Sequence, residues 1–213
     1  VVAADNRADA HVGSGTEITA GQDVLINGSL STGFDVKALA GSAGMSTALA
    51  GSGVFIKDDS AAAAYLDNIA KLTAANLSVN ATGAHNLKGQ AIGGAAAYIG
   101  LALSGAVVNG TVDGDTTAYL GNATANNDNT ILVSGNIDIS ADTDTNLTGD
   151  VIAPAVGSFA GGAGVVNMKD SSNTKAFIGP NMAIQQADAI NISAESTPKV
   201  TADATVISGG IGA

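Results

Sequence analysis

Short runs of alternating apolar and polar residues recur along the chain. Each reads as a half-buried strand, because successive side chains of a strand point to opposite faces. The pairs Val24/Ile26, Leu77/Val79, Ile137/Ile139 and Ile190/Ile192 each enclose a single residue, the period-two signature. A second pattern precedes every pair: Ala10-His11-Val12-Gly13, Ala64-Tyr65-Leu66-Asp67, Ala118-Tyr119-Leu120-Gly121 and Ala176-Phe177-Ile178-Gly179. A third follows it, an uncharged Gly/Ala-rich stretch ending in β-branched residues, at Ala38 to Ile56, Ala91 to Val108 and Val151 to Val166, with Val206 to Ala213 opening another. Turn-forming clusters close each complete copy, as in Lys57-Asp58-Asp59-Ser60, Asp113-Gly114-Asp115-Thr116 and Lys169-Asp170-Ser171-Ser172-Asn173.

The equivalent positions His11, Tyr65, Tyr119 and Phe177 lie 54, 54 and 58 residues apart, a fixed period with one small insertion. In the third copy the apolar pair arrives late, and the Asn-rich run Asn122 to Asn129 absorbs the extra residues, as an insertion in a loop does without disturbing a stacked core. Units therefore run 10–63, 64–117 and 118–175, with partial copies at 1–9 and 176–213. Helical repeats need amphipathic 3.6-periodic segments, and their signatures are absent. The expectation is an all-β fold, a single parallel β-solenoid in which each strand lies on its equivalent in the next coil. Three coils of about 18 residues are expected per unit, the alternative being two of about 27. About a dozen coils would make a rod on the order of 55 Å long. Neither end carries the polar cap that solenoids use, so the chain is expected to be a segment of a longer repeat protein.

Composition narrows the function. Hydrophobic residues reach 46% but aromatics only 3%, with no Trp and 28 Gly, so a core of Ala, Val, Ile and Leu must be thin. The formal net charge of -11 and only eight Lys and Arg argue against a nucleic-acid partner, which requires clustered basic residues. The absence of Cys removes disulfides and thiolate metal sites. Gly89 to Val112 holds 24 residues without a charge, long enough to span a bilayer. It is nevertheless rich in Gly and Ala and lacks basic anchors on both flanks, so it reads as buried strands, with no transmembrane segment expected. Were one Gly/Ala face exposed, it would offer a flat docking surface.

Candidate chemistry is sparse. His11 occupies a slot held elsewhere by Tyr or Phe, and His85 is remote from it, so both read as structural. Carboxylate pairs occur at Asp58/Asp59, Asp113/Asp115 and Asp142/Asp144. Asp113, Asp115, Asp142 and Asp144 are candidates for calcium, with carbonyls of adjacent turns completing the shell. The GGxGxDxUx calcium repeat is absent, and solvated turns are the first reading of all three pairs. The chain has no G-x-S-x-G elbow, HExxH or Walker loop, so no enzyme and no cofactor beyond calcium is expected.

Taken together, Ala-Tyr-Leu-Gly or Ala-Phe-Ile-Gly, then the Val24-Leu25-Ile26 pair, then Ala-Gly-Ser-Ala-Gly or Ala-Gly-Gly-Ala-Gly running into Val165-Val166-Asn167 resembles the leukotoxin-type and filamentous-haemagglutinin-like repeat adhesins of Gram-negative surfaces. The resemblance extends over essentially the whole chain, with His11 in the aromatic place and Asp67 in the Gly place as departures. It implies a right-handed β-helix, exported by a type V route through an outer-membrane transporter and displayed as an extracellular fibre at the bacterial surface, as in biofilms. The expected role is a structural or adhesive segment supplying length, stiffness and lateral contacts. Its expected partners are further copies or other surface proteins and carbohydrates. The alternative is a carbohydrate- or protein-binding module that uses the Asn122 to Asn129 loop.

Overall fold

The computed structural model of the chain describes residues 1–13, 15–67, 69, 71–121, 130–180 and 182–210. These residues form strands and no helix. A first pass of chain contains β1 (Val2–Ala4), β2 (Arg7–Val12), β3 (Glu17–Thr19) and β4 (Val24–Gly44). The second runs β5 (Thr47–Asp58), β6 (Ala61–Leu66), β7 (Lys71–Ala74) and β8 (Leu77–Ala97). A third has β9 (Leu101–Val112), β10 (Asp115–Leu120), β11 (Thr130–Val133) and β12 (Asn136–Gly157), and the last has β13 (Phe159–Asp170), β14 (Asn173–Ile178), β15 (Ile184–Gln186) and β16 (Ala189–Gly210).

Each pass contributes one strand to each of four sheets. A long sheet takes β4, β8, β12 and β16; an opposing sheet takes β1, β5, β9 and β13; an aromatic sheet takes β2, β6, β10 and β14; and a short sheet takes β3, β7, β11 and β15. All the pairings are parallel, and every strand lies beside its equivalent one pass away, as in Val24↔Leu77↔Ile137↔Ile190. This arrangement is compatible with a β-solenoid. It corrects the expected winding, since one unit makes one pass through all four sheets and does not divide into three coils, or two. The rod shortens accordingly. Four strands at ~4.8 Å spacing span only about 14 Å, whereas a strand of 21 residues extends for roughly 70 Å. The coil is broad and low.

The reason lies along the inward residues of the long strands. In β8 they are Leu77, Val79 and Ala81, then His85, then Leu87 and Ala91, and finally Ala95 and Ala97. The first group joins Leu66, Leu72, Leu120, Ile131 and Ile137 in a thick Leu/Ile core beneath the aromatic and short sheets. The second packs with Val54, Ile56, Val108 and Leu147 against the opposing sheet. The last belongs to a core made of alanines alone, Ala48, Ala95, Ala97, Ala102 and Ala155. The interior is thus a wedge that thins toward the bend between the long and opposing sheets.

Gly93 shows how closely the layers approach there, because a Cβ at that position would sit 2.3 Å from the Gly105 carbonyl oxygen. The bend itself is short: Met45-Ser46 in one pass, Tyr98-Ile99-Gly100 in the next, and Ser158 alone in the third. Gly100 makes its turn at φ 122°, in the region that glycine alone enters without strain. Gly89 to Val112, read from sequence as buried strands, is the two arms of one such bend. Its inward residues, among them Ala91, Ala102 and Val108, are buried, while Ile99 (64% exposed) and Tyr98 (73%) face out. No helix among the described residues is long and apolar enough to cross a membrane.

Candidate functional site

Three features stand out from the regular ladder. The first is on the outer face of the aromatic sheet. His11, Tyr65, Tyr119 and Phe177 are in register and stack ring on ring, with centroids 5.0, 4.7 and 5.1 Å apart and planes within 9° of parallel. Both interior rings, Tyr65 and Tyr119, have each face covered by a neighbour, so the middle of the row offers edges and hydroxyls but no open platform on which a sugar ring could stack. Burial and the neighbouring Tyr65, Asp67 and Asp9 raise the Tyr119 pKa. The chemistry of this row is register, since offset-stacked aromatic pairs contribute ~0.5–1.5 kcal/mol each beyond their area.

The second feature is internal. Thr32, His85 and Thr145 form one inward column of the long sheet, between the thick core and the middle one. Asp58, at the end of β5, meets them from the opposite layer. Its Oδ2 accepts a hydrogen bond from His85 Nδ1 at 2.9 Å and another from the Thr32 hydroxyl, and its Oδ1 accepts from the Ser60 backbone N–H at 3.1 Å. Burial by itself would raise the Asp58 pKa, but the hydrogen bonds from His85, Ser60 and Thr32 outweigh it and hold the pKa at about 2. A carboxylate can only accept, so Nδ1 carries the hydrogen. His85 Nε2 has no hydrogen-bond partner among the described residues, nor do the Thr116 and Thr145 hydroxyls. Gly114 makes room for the ring, as a Cβ there would lie 2.9 Å from His85 Cε1.

This cluster corrects the sequence reading, in which Asp58/Asp59 was a solvated turn. Asp58 is fully buried, and only Asp59 reaches the surface, where it pairs with Lys57. The signal was present in the alternation: carrying the parity of Leu77 and Val79 forward through the strand places His85 inside.

The third feature is the outer surface of the wedge's thin end. Along the first part of the long sheet the outward side chains are mostly polar, and several bridge adjacent passes, as in Ser140 to Asn80 (2.9 Å), Gln90 to Asp150 (2.7 Å) and Asn191 to Asp138 (2.7 Å). Beyond Lys37, Gln90, Asp150 and Asp203 the character changes. The next outward columns are Leu39–Ile92–Ile152–Thr205, then Gly41, Gly94, Pro154 and Ile207, then Ala43–Ala96–Val156–Gly209, with no charge among them. They floor an open groove of about 520 Å³ lined by Gly41, Ala43, Gly94, Ala96, Pro154 and Val156. The Pro154 ring leans over Gly94, and the ladder from β12 to β8 lapses at Ala153 and Pro154, where the ring nitrogen has no hydrogen to donate. Around the bend, the opposing sheet presents Leu49, Leu101, Leu103 and Phe159 outward.

The remaining sequence candidates are dispersed. Ile26, Leu77, Val79, Ile137 and Ile139 are buried and Val24 is half-buried, whereas Ile190 and Ile192 lie exposed on β16, which pairs on one side only. Asp113 and Asp115 sit exposed between the opposing and aromatic sheets, and Asp142 and Asp144 are exposed on the outer face of the long sheet. Among the described residues no group of three or more His, Cys, Asp or Glu is placed to hold a metal. The Asn122 to Asn129 loop lies outside the described residues. No protein-family model matches the chain, and no curated protein or solved structure matches it.

Proposed function

We propose that this chain is a right-handed β-solenoid segment of a structural or adhesive extracellular fibre, carried on a bacterial surface protein exported by a type V route through an outer-membrane transporter. The observation that carries the reading is the parallel stacking of equivalent strands, 21 or 22 residues wide in the long sheet and interrupted between β12 and β8 at Ala153 and Pro154. Backbone pairing along one axis then replaces what a globular interior would supply.

The proportions favour lateral contact over reach. A unit of 54 residues advances the axis by one strand spacing, ~4.8 Å, while adding a strip about 70 Å wide to the outer face. A segment built this way is an inefficient spacer and an efficient producer of surface. No catalytic step belongs to this reading: the carboxylate–histidine pair is sealed inside, with both side chains fully buried.

The test is adhesion. Beads coated with the chain should clump together or attach to cells more than beads coated with an inert protein of equal charge. Electron microscopy of tandem units should show a ribbon that lengthens by one strand spacing per unit with a right-handed path. Inert beads would remove the adhesive role, and a left-handed or globular particle would remove the architecture.

A further inference from the structure

We propose that the thin end of the wedge is a self-association surface, in which the outer face of the opposing sheet on one copy seats in the groove on the long sheet of a second copy. The inference deepens the fibre reading and rests on it for its biological setting, but not for its chemistry.

Three observations carry it. The first is charge: the chain has a net charge of -11, yet the groove and the facing ridge contain no ionisable side chain, so two copies of like charge can approach there without a direct like-charge contact. Shape is the second. The groove floor is Gly41 and Gly94, with open space above Gly41, while Leu49 (61% exposed) and Phe159 (73%) stand out from the other side of the same bend. A floor of small residues on one face and bulky side chains standing out from the other make the two complementary in shape.

The third is area. The groove face extends roughly 20–25 Å along the strands and, counting half a strand spacing beyond each outermost strand, about 19 Å across the four passes, so about 400–500 Å² per copy. That is as large as the whole apolar patch a monomeric protein usually exposes, ~300–600 Å². Pairing it would bury about 800–1,000 Å² in total, the range of weak, reversible interfaces. Because groove and ridge are different patches, the contact is heterologous. It does not close at a dimer but continues copy after copy into a lateral array.

Sedimentation velocity on the purified chain over a range of concentrations tests this. The mass should rise with concentration past the dimer, and rise further with added salt, which screens the repulsion between acidic copies. Gly41→Glu has no atom within 4 Å of its new Cβ, and Leu49 is solvent-facing, so neither Gly41→Glu nor Leu49→Glu should alter the strand spectrum in circular dichroism. Each variant alone should need at least about tenfold higher concentration to associate, a loss of ~1.4 kcal/mol. Mixed together, one variant supplies an intact ridge and the other an intact groove, so the mixture should form dimers and stop there.

A monomeric wild type, a Leu49→Glu variant that associates like wild type, or a mixture that stays monomeric with both variants folded would each overturn the proposal. So would a chain that remains monomeric alone but is taken up by zwitterionic phosphatidylcholine vesicles, which would make lipid the occupant. Coated beads that attach to cells while the chain stays monomeric would overturn this inference and leave the fibre reading standing. Association in solution with inert beads would do the reverse.

Discussion

The two ends of the wedge are built from the same strands and stabilised differently. At the thick end Leu66, Leu72, Leu77, Leu120, Ile131 and Ile137 are completely buried, and each contributes ~1.5–3 kcal/mol by leaving water. At the thin end Ala48, Ala95, Ala97, Ala102 and Ala155 are as well buried but have little side chain to bury. Their large apolar neighbours, Leu39, Leu49, Tyr98 and Phe159, point outward instead. One end therefore holds the stack together and the other displays it, although the backbone ladder runs through both, lapsing at the thin end beside Pro154. Burial alone does not reveal which is which; side-chain volume does.

The largest effect should come from the polar divider between them. Asp58→Ala strands the His85 ring hydrogen in a dry site and should cost about 3–5 kcal/mol, measured by urea unfolding. Replacing Asp58 and His85 together with apolar residues of similar volume should cost far less than the sum of the single changes. Equal costs would mean that the two side chains do not act as a pair. Next comes the thick end: Ile137→Ala should lose about 2–5 kcal/mol in the same assay, through lost transfer energy and the cavity left behind.

Acid titration gives the third effect. The Asp58 pKa is depressed to about 2 from 3.8, so the carboxylate's contribution is fully present above the unfolded value and fades as pH falls from about 4 toward 2. That contribution is about 2 kcal/mol, and the Asp58→Ala variant should lack it. A wild type and variant with parallel acid-unfolding curves would contradict the assignment.

The thin end should respond to added atoms more than to lost ones. Gly93→Ala drives a Cβ against the Gly105 carbonyl and should cost about 1–3 kcal/mol, whereas Gly41→Ala on the open outer face should stay within about 0.5 kcal/mol. Ala102→Gly, the thin-end counterpart of Ile137→Ala, should cost only about 0.5–1 kcal/mol, mostly backbone entropy. A loss as large as that at Ile137 would erase the contrast between the ends.

What was legible in the sequence follows the same division. The spacing of His11, Tyr65, Tyr119 and Phe177 could be read because equivalent residues stack directly on one another, so the register is written in like side chains. The number of coils per unit could not. Gly in this chain marks two unrelated things, the bend at Gly100 and the close approach of layers at Gly93, and only the first turns the chain. Linkers as short as Ser158 leave no turn-rich interval to count. Asp58 was misread because a carboxylate beside Asp59 and Ser60 has the composition of a surface turn, and nothing local reveals that Thr32 and His85 arrive beneath it from the facing layer. The groove was foreshadowed by uncharged Gly/Ala runs, but composition cannot tell an inward alanine from an outward one without the parity of the whole strand.

The row of rings on the aromatic sheet also equips the molecule with an optical gauge. With no Trp to mask them, Tyr65 and Tyr119, their centroids 4.7 Å apart and their planes 3° from parallel, are close enough for their electronic transitions to couple. A slip of a single residue between passes would separate the chromophores and end the coupling, so the near-ultraviolet absorption of the unlabelled polypeptide, hypochromic while the rings are stacked, reports alignment between neighbouring layers directly.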